Sequence, residues 1–262
     1  MIRYYGYSIC FAGLSLYLLK NGVHYLSNQG WFWCPTDDKT IDFYRETIGD
    51  TVSTRYLLIF TMVPFLLTII FTRYKKNSKN GEPHFLWTSF DIYSRFLASY
   101  WLNILLMVIT KLLFPEPRPH FIQTCNPDPL KLTCSSAKSS YQLYKDGICR
   151  LNQSNDGSYF TQRDVLDSLR SFPSGHAQNG AFTMFIALHF VNRNNGLTSI
   201  QKIIFSLFWI CNGLLMAISR ITDNRHHWWD VLAGSIMGGL YSYFAIKYFL
   251  YQTNSKASKG VR

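Results

Sequence analysis

Six stretches of the chain approach the length of a membrane-spanning helix, which needs about 20 mostly apolar residues. Polar loops separate them, and they cover about residues 5–19, 56–71, 96–114, 177–191, 203–219 and 230–250. Only 16% of the residues are charged, whereas a typical soluble domain carries about 25%. The pattern predicts an all-α integral membrane protein with six transmembrane helices, formed by a single domain over residues 1–262. The first stretch lacks a small-residue cleavage site and is expected to remain as an anchor.

The positions of lysine and arginine predict the orientation of these helices, because short cytoplasmic loops carry an excess of both residues. Here they concentrate in the second loop, the fourth loop and the tail: Arg73, Lys75, Lys76, Lys79, Arg193, Lys202, Lys256, Lys259 and Arg262. We therefore expect these segments in the cytoplasm, together with a short disordered tail at about 253–262. The long loop at about 115–172 is expected to face the lumen or the exterior.

The cysteines agree with this orientation. Four of the six lie in loops that are expected to face outward, namely Cys34, Cys125, Cys134 and Cys149, and disulfides persist in that compartment. Four cysteines allow three pairings, among which the sequence does not choose. The other two, Cys10 and Cys211, lie in apolar stretches and are expected to be buried thiols. Asn152 begins an Asn-Gln-Ser sequon in the long loop, which predicts a glycoprotein.

The net charge of +11 does not indicate nucleic-acid binding. The basic residues form no amphipathic basic helix and no recognisable nucleic-acid-binding module. The expected partners are instead the lipid bilayer and a membrane lipid that serves as substrate. The sequence leaves open whether the chain forms a homo-oligomer.

Three positively charged residues, Lys111, Arg118 and Arg220, lie near the predicted outer boundary of the membrane. A single lysine or arginine there is explained by a side chain that extends towards the lipid headgroups. Three cations that converge on one face with two histidines favour an anion site instead. The planar guanidinium group of arginine matches phosphate oxygens, and lysine acts as a point charge.

Ser174, Gly175 and His176 are predicted to begin the fourth helix. The first backbone N–H groups of a helix lack partners within it and, with the helix dipole, form an anion site. Gly175 lets a ligand approach the backbone closely. An ordinary N-cap serine is the alternative interpretation, but it leaves His176 unexplained.

His226 and Asp230 are four residues apart, which places them on one face of a helix. A carboxylate that accepts a hydrogen bond from one imidazole nitrogen leaves the other nitrogen available as a nucleophile or base. The carboxylate also stabilises the positive charge that develops when the imidazole attacks phosphorus. His227 is expected to point elsewhere, as a supporting or headgroup contact.

A metal site is not expected, although His176, His226, His227 and Asp230 are all potential ligands. Their spacing matches no familiar zinc motif, and the three nearby cations would repel a divalent ion. The cations can stabilise charge themselves. We therefore expect neither a metal nor another cofactor.

These clusters resemble the three motifs of the type 2 phosphatidate phosphatase superfamily. They read KLLFPEPRP, PSGH and SRITDNRHHWWD, and they are complete and in the family's order. RPHF after the first motif, the cysteine-bearing loop and HHWWDV point to the lipid phosphate phosphatase branch. The second motif of that branch often begins with a residue other than proline, so Pro173 is a small departure.

The resemblance implies that His226 attacks phosphorus and becomes a phosphohistidine, that Asp230 orients it, and that His176 protonates the leaving group. It also assigns the binding of the phosphoryl oxygens to Lys111, Arg118, Ser174, Gly175 and Arg220. The implied activity is metal-independent hydrolysis of phosphatidate, lysophosphatidate, sphingosine 1-phosphate or similar lipids. The implied active site lies at the extracytoplasmic ends of the helices, in the plasma membrane or an endomembrane.

Two alternatives stay open. The motifs contact only the phosphate, so a polyprenyl diphosphate or sugar phosphate phosphatase of the same superfamily would carry them as well. A non-catalytic lipid-binding relative would share the fold but would have lost motif residues. This chain has lost none.

Overall fold

The computed structural model describes residues 2–26, 31–33, 45–46, 48–80, 85–127, 141–143, 149–150 and 159–250. In these ranges the chain forms eight α-helices: α1 Ile2–Leu26, α2 Thr54–Asn80, α3 Phe85–Leu113, α4 Phe121–Cys125, α5 Gln162–Ser168, α6 Gly175–Asn192, α7 Ser199–Thr222 and α8 Trp228–Ala245. Helix α8 continues into a π-helical turn, Ile246–Leu250. Two short strands, β1 Trp31–Trp33 and β2 Tyr141–Leu143, pair antiparallel with Phe32 opposite Gln142. The predicted helical fold is confirmed, with this small sheet as an addition.

The six long helices α1, α2, α3, α6, α7 and α8 each overlap one of the six predicted stretches. By length and composition, three of the described helices can cross a membrane, over Thr54–Lys76, Phe85–Leu113 and Ser199–Thr222. A crossing by all six helices stays a prediction. The predicted tail at about 253–262 lies outside the described residues.

The outer surface of α7 is apolar. Ile203, Leu207, Leu214 and Ile218 are each more than half exposed. A contiguous apolar surface of this kind is typical of contact with a membrane or a partner protein. It agrees with a helix that faces lipid.

Helix α6 lies at the centre of the bundle. It packs against α7 and α8 and also contacts α2 and α3, whereas α1 packs along α3. Large side chains from several helices are fully buried beside it, among them Phe65, Phe96, Phe182 and Trp209. The ring centroids of Phe65 and Phe96 are 4.0 Å apart. The core therefore holds the helices around α6 and fixes where its N-terminal end lies.

Two glycines allow α8 to approach the backbone of α6 directly. A Cβ atom at Gly238 would lie 2.2 Å from the carbonyl oxygen of Gln178. One at Gly234 would lie 2.5 Å from the carbonyl oxygen of Ser174. Small residues four apart on one helix face permit such close packing between membrane helices. The contact sets the beginnings of α6 and α8 side by side.

The structure selects one of the possible disulfides, Cys125–Cys149. Cys34, Cys134 and the sequon at Asn152 lie outside the described residues.

The expectation that Cys10 and Cys211 are buried is wrong, because both thiols are exposed. They lie on the outer surfaces of α1 and α7 and do not point into the bundle.

Candidate active site

The predicted site residues lie at one end of the bundle, where α3 and α7 end and α6 and α8 begin. Their positions are Lys111 in the last turn of α3, Arg118 in the segment after it, Ser174, Gly175 and His176 at the start of α6, Arg220 in the last turn of α7, His226 before α8, and Asp230 in the first turn of α8. The Ser174 N–H donates to the carbonyl oxygen of Asp230 at 3.1 Å. This bond ties the second motif to the third.

The four-residue spacing suggested that His226 and Asp230 share a helix. In the structure they do not, because α8 begins only at Trp228. It lies in the turn between α7 and α8, where its N–H donates to the carbonyl oxygen of Arg220 at 3.1 Å. The distance from His226 Nδ1 to Asp230 Oδ2 is 3.7 Å, which is too long for a direct hydrogen bond. A third residue connects the two side chains.

Ser171 lies between His226 and Asp230, and its hydroxyl contacts both side chains. The hydroxyl donates to Asp230 Oδ2, and its oxygen lies 3.3 Å from His226 Nδ1. All three residues are buried. The hydroxyl can therefore accept the Nδ1 proton of His226 in a hydrogen bond while it donates to the carboxylate. In this tautomer the lone pair of His226 is on Nε2.

Asp230 also has His227 as a partner. This histidine was expected to point away from the site, but it faces the carboxylate and supports it. The backbone N–H of His227 donates to Asp230 Oδ2 at 2.9 Å. Its Nδ1 lies 3.3 Å from the same oxygen. The imidazole stacks on Trp229, with ring centroids 4.3 Å apart. His227 is thus a buried part of the carboxylate's surroundings.

Glu116, within the first motif, faces the same cluster. The Trp229 Nε1 donates to Glu116 Oε1 at 2.7 Å, and His227 Nδ1 lies 3.8 Å from that oxygen. Burial, and secondarily the charge of Asp230, raises the pKa of Glu116 to about 6. Glu116 and Ser171 are two polar neighbours that sequence reasoning missed. Their only sequence signal is that Glu116 lies within the first motif and Ser171 lies two residues before the second.

Glu116, His227 and Asp230 offer potential ligand atoms that lie within 4.8 Å of one another. This spacing would suit a metal ion. However, Trp229 already donates to Glu116 and Ser171 to Asp230, so each carboxylate has a hydrogen-bond partner in the protein. That the site works without a metal stays a prediction.

Two cations are held near His226 by the surrounding chain. Lys111 Nζ donates to the carbonyl oxygens of Arg170 and Ser171, at 2.9 and 3.2 Å. Arg118 Nη2 lies 3.2 Å from a carboxylate oxygen of Asp167. The first motif is thereby attached to the segment that carries Ser171.

These cations influence the protonation of His226. Burial, together with the charges of Lys111 and Arg118, lowers the pKa of His226 well below its usual range. The imidazole is therefore neutral at neutral pH. A neutral imidazole with an available nitrogen can act as a nucleophile.

Arg220 is 2% exposed, and its guanidinium group already has protein partners. Nη1 pairs with Asp50 at 3.0 Å, and Nη2 pairs with Asp223 at 2.9 Å. Nη2 also donates to the Val52 carbonyl oxygen at 2.9 Å. To bind a phosphate as predicted, Arg220 would have to exchange one of these partners.

The hydroxyl of Ser174 makes no capping hydrogen bond, so the interpretation as an ordinary N-cap is not supported. Ser174 Oγ, His176 Nε2 and Arg118 Nε are buried without a hydrogen-bond partner among the described residues. Such atoms are uncommon in folded proteins, and each costs about 1–3 kcal/mol. All three belong to residues predicted to contact the phosphate or the leaving group.

The backbone at Gly175 is also crowded. A Cβ atom there would lie 3.2 Å from the end of the Met107 side chain. The side chain of Met107 therefore packs against this glycine, and the approach of a ligand to the backbone at Gly175 stays a prediction.

His120 connects the first motif to the third. Its Nδ1 lies 3.0 Å from the carbonyl oxygen of Asn224, a residue with a left-handed backbone at φ 54°. Burial, and secondarily the charge of Arg118, lowers the pKa of His120 to about 3. The ring is therefore neutral and can donate from Nδ1. This bond holds the turn before His226 against the segment after Arg118.

The chain is similar in sequence to known proteins over most of its length. The PAP2 superfamily profile matches residues 92–254, which contain all three motifs. Phospholipid phosphatase 1 of Mus musculus is 26% identical, over 88% of this chain and 77% of the relative. Phospholipid phosphatase 2 of Homo sapiens is 25% identical, over 83% and 72%. A Caenorhabditis elegans protein named phospholipid phosphatase homolog 1.2 homolog is 27% identical, over 88% and 69%. No solved structure matches the chain.

Proposed function

Because the chain belongs to the PAP2 superfamily and is a lipid phosphatase, we propose that it hydrolyses lipid phosphate monoesters through a phosphohistidine on His226. The observation that carries this mechanism is the buried, neutral imidazole of His226, linked through Ser171 to Asp230 and flanked by two cations. Phosphatidate, lysophosphatidate and sphingosine 1-phosphate are the proposed substrates. No metal ion takes part.

In the first step, Nε2 of His226 forms a bond to phosphorus as the bond from phosphorus to the lipid oxygen breaks. His176, which takes up a proton together with the anionic substrate, gives that proton to the departing alkoxide. The Nδ1 proton of His226 stays hydrogen-bonded to Ser171, and the charge of Asp230 balances the positive phosphohistidine. The products are the lipid alcohol and the phosphoenzyme.

In the second step, water attacks phosphorus and passes a proton to His176. The bond to His226 breaks, inorganic phosphate leaves, and both histidines return to their starting states. Lys111, Arg118 and the hydroxyl of Ser174 hold the phosphoryl oxygens in both steps. Charge stabilisation by groups positioned in advance is often the largest contribution to catalysis.

The apolar helix surfaces support a substrate that lies in the bilayer. Helix α8 also exposes large apolar residues, including Leu232, Ile236 and Leu240. We infer that all six long helices cross the membrane. The active site then lies at the lumenal or exterior surface of the plasma membrane or an endomembrane, where a lipid phosphate can approach it from the headgroup layer.

Phosphate release tests the proposed reaction. Purified protein in detergent micelles, with EDTA present, is expected to release inorganic phosphate from phosphatidate, lysophosphatidate and sphingosine 1-phosphate. Glucose 6-phosphate and a polyprenyl diphosphate are the comparison substrates. We expect kcat/KM for the best lipid monoester to be at least about tenfold higher than for either comparison substrate. This ratio is a difference of about 1.4 kcal/mol in activation free energy. Activity that requires an added divalent ion would contradict the proposed mechanism.

Ser171→Ala is expected to lower kcat about ten- to hundredfold with little change in KM. The variant removes the hydroxyl that links His226 to Asp230, and a hydrogen bond to a charged group contributes about 1.5–3 kcal/mol. Steady-state phosphate release measures both constants.

Ser168→Ala is the matched control, since Ser168 is equally buried but its hydroxyl donates to the Val165 carbonyl oxygen. Its kcat is expected to stay within about threefold of wild type, because an ordinary neutral hydrogen bond contributes only about 1 kcal/mol to stability. An equal loss of kcat in both variants would show that Ser171 has only a structural role.

A further inference from the structure

A basic cavity of about 200 Å³ lies at the end of the bundle opposite the candidate active site. Its charged and amide-bearing lining residues are Arg73, Lys76, Arg193, Asn194 and Asn195. The first two come from the C-terminal part of α2, and the others follow the end of α6. Among the described residues, no carboxylate lines this cavity.

The basic cavity is separate from the proposed phosphate site. His189 lies at its edge, in the last turn of α6, whereas His176 lies in the first turn. An α-helix rises about 1.5 Å per residue, so the two positions are about 20 Å apart. The cations of the basic cavity therefore cannot contact a phosphoryl group at His226.

An apolar groove of about 520 Å³ begins where the basic cavity ends, and the two share His189 and Arg193. The groove runs between α6 and α8 and is lined by Phe185, Leu188 and Tyr243. Gly239 also lines the groove and lies against the ring of Phe185, since a Cβ atom there would be 3.2 Å from that ring.

The basic residues alone have a simpler explanation. Cations near the C-terminal ends of helices interact favourably with the helix dipole, and long basic side chains extend towards lipid headgroups. Neither effect explains why these residues enclose a cavity. Neither effect explains why a groove with an apolar lining, which would suit an acyl chain, continues from that cavity along the outside of the bundle.

We propose that the basic cavity and the apolar groove together bind a phospholipid with an anionic headgroup. Its phosphate lies among Arg73, Lys76 and Arg193, and an acyl chain lies in the groove between α6 and α8. The ligand belongs to the leaflet opposite the active site. This inference requires insertion in a membrane but does not depend on the chemistry of His226.

Binding of dioctanoyl phosphatidylglycerol to the purified protein in detergent micelles tests the site. This lipid is a phosphodiester, so its binding is measured independently of phosphatase activity. We expect saturable binding that raises the thermal midpoint of the protein. Dioctanoyl phosphatidylcholine and inorganic phosphate are expected to bind with a Kd at least about tenfold higher.

The double variant Lys76→Gln/Arg193→Gln is expected to raise the Kd for phosphatidylglycerol at least about tenfold, because each cation near an anionic lipid contributes to its attraction. Lys75→Gln/Lys202→Gln removes two charges from the same end of the bundle but outside the basic cavity. Its Kd is expected to stay within about twofold of wild type.

Equal loss of affinity in the two double variants would overturn the proposal. So would equal affinity for phosphatidylcholine, which would show that the headgroup charge is not recognised. Binding of inorganic phosphate with the same dependence on Lys76 and Arg193 would also overturn it and would indicate a site for free phosphate. Hydrolysis of short-chain lysophosphatidate, measured in parallel, is expected to be unchanged in all these variants.

Discussion

His226→Ala is expected to reduce kcat for phosphate release at least about a thousandfold, because the variant lacks the group that attacks phosphorus. The remaining cations still bind the phosphate, so KM is expected to change much less than kcat. Steady-state release from the best lipid substrate measures both constants. Full activity of the variant in EDTA would overturn the mechanism.

His226→Gln distinguishes loss of the nucleophile from damage to the fold. Glutamine nearly preserves the buried volume and can still hydrogen-bond to Ser171, but it cannot form a stable bond to phosphorus. We expect it to be as inactive as His226→Ala while its thermal midpoint stays close to that of the wild type. Rapid quenching in alkaline denaturant, with substrate radiolabelled in its phosphate group, should yield labelled wild-type protein. Acid treatment should then remove the label, because acid hydrolyses the bond between phosphorus and the imidazole nitrogen. The same experiment should yield no label on either variant.

Gly238→Ala is expected to lower the thermal midpoint by about 5 °C or more and kcat by up to about a hundredfold. The new Cβ atom would lie 2.2 Å from the carbonyl oxygen of Gln178, and this backbone atom cannot rotate away. Overpacking of this kind costs about 1–3 kcal/mol. Helix α8 must then move away from α6, and a misplacement of about 1 Å at reacting groups can cost a hundredfold in rate.

Gly239→Ala is the control for this prediction. Its Cβ atom would meet only the side chain of Phe185, at 3.2 Å, and that ring lies at the outer surface of the bundle. We expect the thermal midpoint to fall by less than about 2 °C and kcat to be preserved. Comparable damage from both substitutions would show that the close approach to the α6 backbone is not responsible, because alanine by itself favours a helix more than glycine does.

The positions of the long helices could be predicted from apolar stretches, but their ends could not. Helix α3 begins at Phe85, well before the predicted start at about residue 96. Polar residues interrupt the apolar pattern there, yet the helix accommodates them locally. Ser89 Oγ donates to the carbonyl oxygen of Phe85, and Arg95 pairs with Asp91 at 2.9 Å. Hydropathy detects where a helix contacts lipid or core, not where its hydrogen bonds end.

The predicted site could be assembled from motif spacing only in part. The positions of Lys111, His176 and Asp230 at one end of the bundle follow from the order of apolar stretches and loops. The link through Ser171 could not be predicted from that order, since Ser171 is 55 residues from His226 and 59 from Asp230 in the chain. The four-residue spacing of His226 and Asp230 even suggested the wrong local geometry.

The sequence by itself determined the helical, membrane-directed character of the protein and the identity of its candidate reacting groups. Both depend on local properties: runs of apolar residues long enough for a bilayer, and short motifs whose side chains carry recognisable chemistry. Only the tertiary structure decided which groups touch. Close backbone contact at Gly234 and Gly238 brings α8 against α6, and this packing places Ser171 between His226 and Asp230. Contacts of that kind depend on how distant helices approach, which no local pattern specifies.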